Sequence, residues 1–360
     1  MKRLLLSGYY GYGNAGDEAV LAGLVAGFRA VSSAELDLTA LSGNPSETRT
    51  AHGIGAVDRY RPAALLPAIA RCNLFLSGGG SLLQDVTSAH GIFYYLGVVR
   101  LAQMLGKKTM FIAQGVGPLT LPRSRRLVAA VANKLDAITV RDPDSARLLS
   151  EIGVSRPPVE VTADPALLLS RPPAPNSGGA GSGFGVALRP WHGQEQLGVQ
   201  TAAACFPGLH GQTPRLLPMQ PGSDTAIAVQ FAGEWARLQE SAAPAPLASP
   251  PNDLDALLSI IAGCDMMVGM RLHALILAAA AGVPSVALAY DPKVAAFMQA
   301  SGQGDAVYDL SAPDADALAE MIGRVWQGRA ARTEALWAAL PGLRANARRN
   351  CDVALAVLAG

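Results

Sequence analysis

Residues 264–293 read CDMMVGMRLHALILAAAAGVPSVALAYDPK, and this stretch decides the fold. Met266 to Val268 is a short apolar run with the character of a buried parallel strand, and Gly269 and Met270 turn the chain. Arg271, Leu272 and His273 then open an Ala/Leu-rich helix that runs to Gly282. Val283 to Ala289 is a second buried strand, and Asp291, Pro292 and Lys293 open the next helix. The resulting strand–helix–strand–helix unit carries its polar residues at the carboxyl ends of strands, where open α/β sheets bind ligands. A helix N-terminus there offers unbonded N–H groups and the positive end of the helix dipole. Arg271, His273 and Lys293 add positive charge, as a phosphate or carboxylate site requires. Each has a plainer reading alone. A strand-end arginine is often a surface ion-pair partner, a histidine in an apolar helix is more often a hydrogen-bonded core residue, and a lone lysine is usually solvated. All three at strand-to-helix corners favour a binding site.

Upstream, the same alternation recurs. Strands are expected at Arg3 to Ser7, Leu36 to Ser42, Gly55 to Tyr60, Asn73 to Ser77, Thr109 to Ala113, Ala137 to Val140 and Val159 to Thr162. Helices are expected at Asp17 to Ala30, Pro62 to Arg71, Ser88 to Leu105 and Pro122 to Leu135, with Arg141 and Asp142 capping a further one. Such alternation implies parallel sheets with right-handed crossovers. Residues 171–183, RPPAPNSGGAGSG, have the composition of a linker. They divide an N-terminal α/β domain (1–170) from a C-terminal one (184–340), with a last helix (341–360) expected to pack across the domain junction. In the second domain Phe184 to Leu188 and Leu216 to Met219 read as strands, and Asp224 to Gln239 as a helix. Gly193 to Gly211 is not assigned. Ser241 to Pro251 reads as an Ala/Pro loop, and Asp253 as the cap of a helix to Ala262. Ala315 to Trp326 and Ala331 to Leu358 are helical in pattern.

The chain has 360 residues, half of them hydrophobic, with a net charge of +1. That length suits two α/β domains, and that charge gives no reason to expect a nucleic-acid partner. Cys72, Cys205, Cys264 and Cys351 are scattered without metal-site spacing, so reduced, buried thiols and no metal are expected. The opening MKRLLLSGYYGYGN reads as a strand entering a glycine loop rather than a signal peptide. The longest apolar run, Leu272 to Ala289, is broken by Gly282 and Pro284. A cytoplasmic protein, at most peripheral to a membrane, is the expectation.

Three loops at strand ends hold most of the remaining chemistry. Gly8 to Gly16 has the spacing GxxGxGxxG, which is neither the dinucleotide fingerprint nor a P-loop. Its glycines permit close backbone approach. Asp17 and Glu18 at the following helix start favour the dipole, or one of them is a base facing a sugar hydroxyl. The tyrosines suit stacking on a sugar ring or simple packing. Ser77-Gly78-Gly79-Gly80 precedes Gln84 and Asp85, which offer hydrogen bonds to a sugar. Gln114 to Pro118 is the third loop. All three lie on one edge of the first sheet, the natural face of an interdomain cleft.

The motifs GYYGYGNAGDEA, SGGGSLLQD, QGVGP, VRDPDS and MRLHALILAAAAGVPSVALAYDPK, in this order, resemble the polysaccharide pyruvyl transferases. The resemblance spans residues 3–300. It is greatest to the bacterial subgroup that pyruvylates cell-wall polysaccharide precursors, whose products help retain surface-layer (S-layer) proteins. It implies two Rossmann-like domains facing a cleft, as in GT-B glycosyltransferases. It implies phosphoenolpyruvate as donor, a ketal across two hydroxyls of one sugar, no cofactor, and an acceptor that is an N-acetylmannosamine-containing glycan or lipid-linked precursor. The family's Arg-Leu-His motif falls on Arg271, Leu272 and His273, and its downstream lysine on Lys293. Its donor-site arginines fall on Arg141 or Arg189. On this reading His273 is the general acid or a phosphate ligand, Arg271 and Lys293 neutralise the donor, and Asp17 or Asp85 deprotonates or orients the acceptor. Asn14, Gly79 and Gly80 line the acceptor side. The alternative is a GT-B nucleotide-sugar glycosyltransferase, in which Asp291 or Glu234 grips a ribose.

Overall fold

The strands are short, apolar and parallel in every pairing, and they form two sheets. The structure is a computed structural model describing residues 1–32, 35–86, 89–169, 183–191, 193–240 and 254–360. The chain divides into unit 1, Met1–Leu169 with Arg344–Gly360, and unit 2, Ser170–Leu343. The expected linker (all but Gly183), the Ala/Pro loop from Ser241 and the capping Asp253 lie outside the described residues.

In unit 1, β1 (Lys2–Tyr10), β2 (Leu36–Ser42), β3 (Gly55–Asp58), β4 (Leu74–Gly78), β5 (Lys108–Gln114), β6 (Ala137–Val140) and β7 (Val159–Val161) alternate with α1 (Ala15–Val31), α2 (Pro45–His52), α3 (Pro62–Arg71), α4 (Ala89–Met104), α5 (Pro122–Ala132) and α6 (Pro143–Glu151). The strand order is β3-β2-β1-β4-β5-β6-β7. The chain therefore builds outward from β1 in one direction and returns to build from β4 in the other. The direction reverses between β1 and β4, and in open α/β sheets ligands bind outside the strand ends at such a point. Leu5, Phe75, Phe111 and Ile138 fill the core from neighbouring strands, joined by Ile92, Leu96 and Val99 of α4.

Unit 2 contains β8 (Phe184–Ala187), α7 (Leu197–Leu209), β9 (Pro214–Leu216), α8 (Pro221–Leu238), α9 (Leu254–Ala262), β10 (Met266–Gly269), α10 (Leu272–Ala280), β11 (Ser285–Ala289), α11 (Pro292–Ala300), β12 (Val307–Asp309) and α12 (Ala315–Gln327). Its order is β12-β11-β10-β8-β9, so the reversal falls between β8 and β10. Phe184, Phe231 and Trp235 pack as a ring cluster with centroids 5.2–6.4 Å apart. Small side chains let α10 sink into the core, where all its residues but His273 are buried. At its end Gly282 has φ +73°, and a Cβ there would lie 2.5 Å from the Trp337 ring, so this turn requires glycine.

The last helix, α13 (Arg329–Ala359), contributes residues up to Leu343 to unit 2 and the remainder to unit 1. Within unit 1 it inserts Asn350, fully buried. The Asn350 Oδ1 accepts from Thr139 Oγ1 (2.6 Å), Thr162 Oγ1 (2.8 Å) and the Ala113 amide (3.2 Å), while Nδ2 donates to the carbonyls of Ala163 and Ala347. One amide thus ties the carboxyl ends of β5 and β6 and the chain just beyond β7. Ala113 sits there at φ +44°, within the register shift of β5 between Phe111 and Gln114.

Several expectations change in detail. β1 runs on to Tyr10 rather than ending at Ser7. The polar segment after β2 is helix α2, with Asn44 as its cap and Pro45 at its start. The unassigned stretch contains α7, its pattern obscured by Pro207 near the end. β9 starts earlier and ends at Leu216, the first residue of the expected run, whose Leu217 and Met219 are buried beyond the strand. Asp142 alone caps α6, accepting from Ser145 N. All four cysteines are free and buried, and burial raises the Cys72 thiol to about 11. Among the described residues no helix is long and apolar enough to cross a membrane.

Candidate active site

Three cations of unit 2 follow strands at or next to its reversal point. After β8 the chain presents Arg189, after β10 Arg271, and after β11 Tyr290, Asp291 and Lys293. β8, β10 and β11 are hydrogen-bonded neighbours, so their ends form one corner. The amides of Met270 and Arg271 both turn back to the Ala187 carbonyl, fixing the β10 exit against β8.

Arg271 is the N-cap of α10. Its Nε donates to Asp224 Oδ2 at 2.9 Å, and its NH2 group donates to Asp224 Oδ1 and, at 3.0 Å, to Ser223 Oγ. Asp224 is fully buried, whereas the Arg271 side chain keeps 15% exposure. Asp224 also accepts from Gln220 N (3.0 Å) and Ser223 Oγ (2.7 Å) at the start of α8. The guanidinium is thus gripped along one edge, with a small part of the side chain still exposed. A planar bidentate pair fixes orientation as well as charge.

Arg189 donates to Tyr290 Oη at 3.2 Å and lies 5.0 Å from that ring's centroid and 6.0 Å from the Trp191 ring. Trp191 and Tyr290 themselves meet at 4.7 Å. Among the described residues the buried Nε–H of Arg189 meets no acceptor. Lys293, in the first turn of α11, pairs with the cap Asp291 at 2.8 Å. His273 is half-buried in the first turn of α10. Leu272 is buried in the core, so only its backbone faces this corner. The corner combines two guanidiniums, an ammonium and two helix N-termini with two carboxylates, the buried Asp224 and the part-exposed Asp291, a set suited to a small anion.

Unit 1 has a second corner, at its own reversal point between β1 and β4. Asn14 caps α1 by accepting from Gly16 N. Glu18 accepts from Gly11 N at 2.8 Å and meets His52 at 2.8 Å, so of the two acids at this helix start it holds the glycine loop. Asp17 faces the other loop, its Oδ1 3.0 Å from where a Cβ on Gly80 would sit. Gly79 has φ +76°, and a Cβ there would press to 2.4 Å from Val20. The buried Tyr10 hydroxyl donates to the Gly78 carbonyl at 3.2 Å, and Gln114 Nε2 donates to the Gly80 carbonyl at 2.9 Å. The glycine loop is thereby stitched from both sides.

Two expected site residues are braces here. Asp85 is buried and accepts from the Thr120 amide, the Thr120 hydroxyl and the Leu121 amide at 2.8–2.9 Å. Burial alone raises its carboxyl, but these donors outweigh it and hold the group below the usual carboxylate range. A carboxylate so engaged is a poor base. Arg141 is buried in unit 1, paired with Asp164 at 2.8 Å and donating to Ser81 Oγ at 2.7 Å. It fixes the glycine loop, and Arg189 is the expected arginine that joins the cationic corner of unit 2. Glu234 pairs with Arg237 on the surface, and Asp291 caps α11, so the two acids considered for a ribose are engaged. The sequence reading missed Asp224 and the Trp191–Tyr290 pair. Asp224 opens an expected helix, and no local spacing ties it to Arg271, 47 residues on.

A family model for polysaccharide pyruvyl transferase matches residues 14–292. No curated protein sequence matches the chain. Similar solved structures include HepE of Anabaena in complex with UDP-glucose (12% identity, covering 100% of this chain and 98% of that one, TM-score 0.61). Another is the UDP-GlcNAc 2-epimerase of Neisseria meningitidis bound to UDP-GlcNAc (12% identity, 100% of both chains, TM-score 0.61). A third is a glycosyltransferase from Rickettsia africae (11% identity, 99% and 98%, TM-score 0.60). At these identities the likeness concerns the fold, which is α/β and GT-B-like with two parallel sheets.

Proposed function

The chain belongs to the polysaccharide pyruvyl transferase family, and from that premise we propose that it moves pyruvate from phosphoenolpyruvate to a sugar of a cell-wall polysaccharide precursor as a cyclic ketal, releasing phosphate. The observation that carries the donor assignment is the Arg271–Asp224 pair at the reversal point of unit 2, with Arg189 and Lys293 on the adjoining strand ends. Phosphoenolpyruvate bears a carboxylate and a phosphate on one vinyl carbon. Holding both requires several rigid cationic donors, and Asp224 supplies the rigidity for one of them. The Nε–H of Arg189 is a further donor for an anion to satisfy.

The chemistry follows from the donor. A proton is delivered to the methylene carbon, leaving C2 electron-poor and oxocarbenium-like. A sugar hydroxyl adds to C2 and loses its proton, the bond from C2 to the phosphate ester oxygen breaks, and its electron pair leaves with phosphate, which takes up a proton. A second hydroxyl of the same sugar adds to C2 and loses its proton, closing the ketal. His273, two residues after Arg271 in the first turn of α10, is assigned the proton delivery or the phosphate contact. Arg271, Arg189 and Lys293 hold the charge that grows on the departing phosphate. In unit 1, Asp17 is assigned the acceptor hydroxyl, with Asn14, Gly79 and Gly80 shaping the loops around it. By the resemblance in its motifs, the acceptor is an N-acetylmannosamine-containing glycan or its lipid-linked precursor.

The test is acceptor-dependent release of phosphate from phosphoenolpyruvate, with the ketal carbon of the product detected by NMR. Transfer in wild type and its loss in a folded His273→Ala protein is the expected result. Transfer at a near-normal rate in His273→Ala removes His273 from the mechanism.

A further inference from the structure

Unit 1 contains a buried cation that the pyruvyl-transfer reading does not use. Arg59 is 2% exposed, and among the described residues no carboxylate pairs with it. Its NH1 group donates to the Gly8 carbonyl at 2.7 Å. Its guanidinium lies 4.5 Å from the Tyr94 ring, 5.1 Å from Tyr95, and 5.5 Å from both Tyr12 and Tyr60. A guanidinium over aromatic faces is held by their quadrupoles, more strongly when shielded from water. Arg59 therefore anchors both the backbone at Gly8 and the ring of Tyr12.

The anchored ring of Tyr12 carries a second, exposed ring. Tyr9 stacks on Tyr12 with centroids 4.4 Å apart and planes at 18°, yet Tyr9 is 36% exposed. Tyr12 covers one face of this ring, and the residue keeps exposed surface for a ligand. β1 pairs Ser7 with Leu41 and then Tyr10 with Ser42, so Gly8 and Tyr9 form a bulge. Bulges re-aim side chains beside functional sites. Tyr10, on the other side, stays buried and holds the glycine loop. Asp17 is near enough that, after burial, its charge is the next cause raising the Tyr9 phenol above its usual value, and Asp17 also faces Gly80.

We propose that Tyr9, backed by Tyr12 and anchored through Arg59, is a stacking platform for the apolar face of a pyranose, with Asp17 accepting a hydroxyl of the same sugar. An exposed aromatic on a rigid stacked base offers a flat apolar surface at little entropic cost, the form that carbohydrate C–H faces fit. The neighbouring glycines let the sugar approach the backbone closely. This deepens the reading of unit 1 as the acceptor side and rests on the chain acting on a polysaccharide, but it does not depend on the identity of the donor.

The experiment is saturation-transfer NMR on the full chain with methyl pyranosides of the gluco, galacto and N-acetylmanno series, and myo-inositol as a polyol control. The expected result is transfer to at least one pyranoside, strongest on the C–H protons of one ring face. That signal falls severalfold in Tyr9→Ala and persists in Tyr9→Trp, with the melting temperature of each variant checked. Equal transfer in wild type and Tyr9→Ala, or no transfer to any pyranoside in wild type, overturns the proposal. Calorimetry of phosphoenolpyruvate on the same Tyr9→Ala protein separates it from the donor assignment. A Tyr9-dependent sugar signal without donor binding leaves the platform standing and removes the donor. Donor binding without a Tyr9-dependent sugar signal does the reverse.

Discussion

Asp224→Asn is the substitution that weighs the cationic corner most closely. Asp224 is fully buried and gives both oxygens to Arg271, with further bonds from Gln220 N and Ser223 Oγ. Asparagine keeps the shape but offers one acceptor and no charge. Removing one partner of a buried ion pair costs roughly 3–5 kcal/mol, because the other charge is left uncompensated. Here the cost falls at the lower end, about 3 kcal/mol, since Arg271 keeps 15% exposure and part of its hydration. For a unit of roughly 170 residues that corresponds to a melting shift on the order of 10 °C if unit 2 melts cooperatively. The second consequence concerns the donor. An arginine released from its fork samples other rotamers, and a misplacement of about 1 Å at a reacting centre can cost roughly a hundredfold in rate. The assay pairs differential scanning calorimetry with steady-state kinetics in phosphoenolpyruvate. A melting point within about 1 °C of wild type, with an unchanged kcat/KM for the donor, refutes the assignment of Asp224 as the residue that orients Arg271.

Other consequences can be checked singly. Asn350→Leu removes the acceptor shared by the hydroxyls of Thr139 and Thr162, and leaves the Ala113 amide only Thr139 Oγ1 at 2.9 Å. It should destabilise unit 1 by on the order of 3 kcal/mol and speed hydrogen exchange at Ala113, and unchanged exchange there contradicts the assigned clamp. Gly80→Ala places a Cβ 3.0 Å from Asp17 Oδ1, without requiring a left-handed backbone. Pyruvyl transfer should drop roughly tenfold or more with little change in melting, and full activity would separate Asp17 from the reaction. For Asp85, the folded carboxyl is held below its ordinary value, so its stabilisation is present above that value and is lost as the pH falls through the folded one. Asp85→Asn should therefore cost about 2 kcal/mol at neutral pH, with the gap to wild type narrowing in acid, and a pH-independent gap contradicts the linkage.

The sheets were legible because a buried parallel strand writes itself as a continuous apolar run, as at Leu74–Gly78 and Met266–Gly269. The chemistry at the end of β10 was legible for a related reason. In the apolar stretch around α10, Arg271 and His273 stand out as residues that burial alone does not explain. What stayed hidden depended on separation. Asp224 precedes Arg271 by 47 residues, and Asn350 follows Ala113 by 237, so no local spacing announces either pair. Asp85 and Arg141 carry the residue types of a site and stand in the right loops, yet their bonds run to Thr120, Leu121, Asp164 and Ser81 within unit 1. Side-chain type alone does not separate a brace from a reactant when both serve the same loop. α2 was missed because it is a polar, mostly exposed helix, and α7 because a proline interrupts its pattern.

The central claim is that unit 2 holds phosphoenolpyruvate at the corner of Arg189, Arg271 and Lys293. Calorimetric titration of phosphoenolpyruvate, with UDP-glucose in parallel, into wild type and Lys293→Met tests it most directly, because Lys293 is on the surface side of the corner with 25% exposure and its loss spares the Arg271–Asp224 pair. Saturable binding of phosphoenolpyruvate to wild type, weakened about tenfold in Lys293→Met by loss of one charge-assisted contact, and no matching binding of UDP-glucose, is the predicted result. Binding of UDP-glucose with none of phosphoenolpyruvate would contradict the account and return the corner to a nucleotide diphosphate.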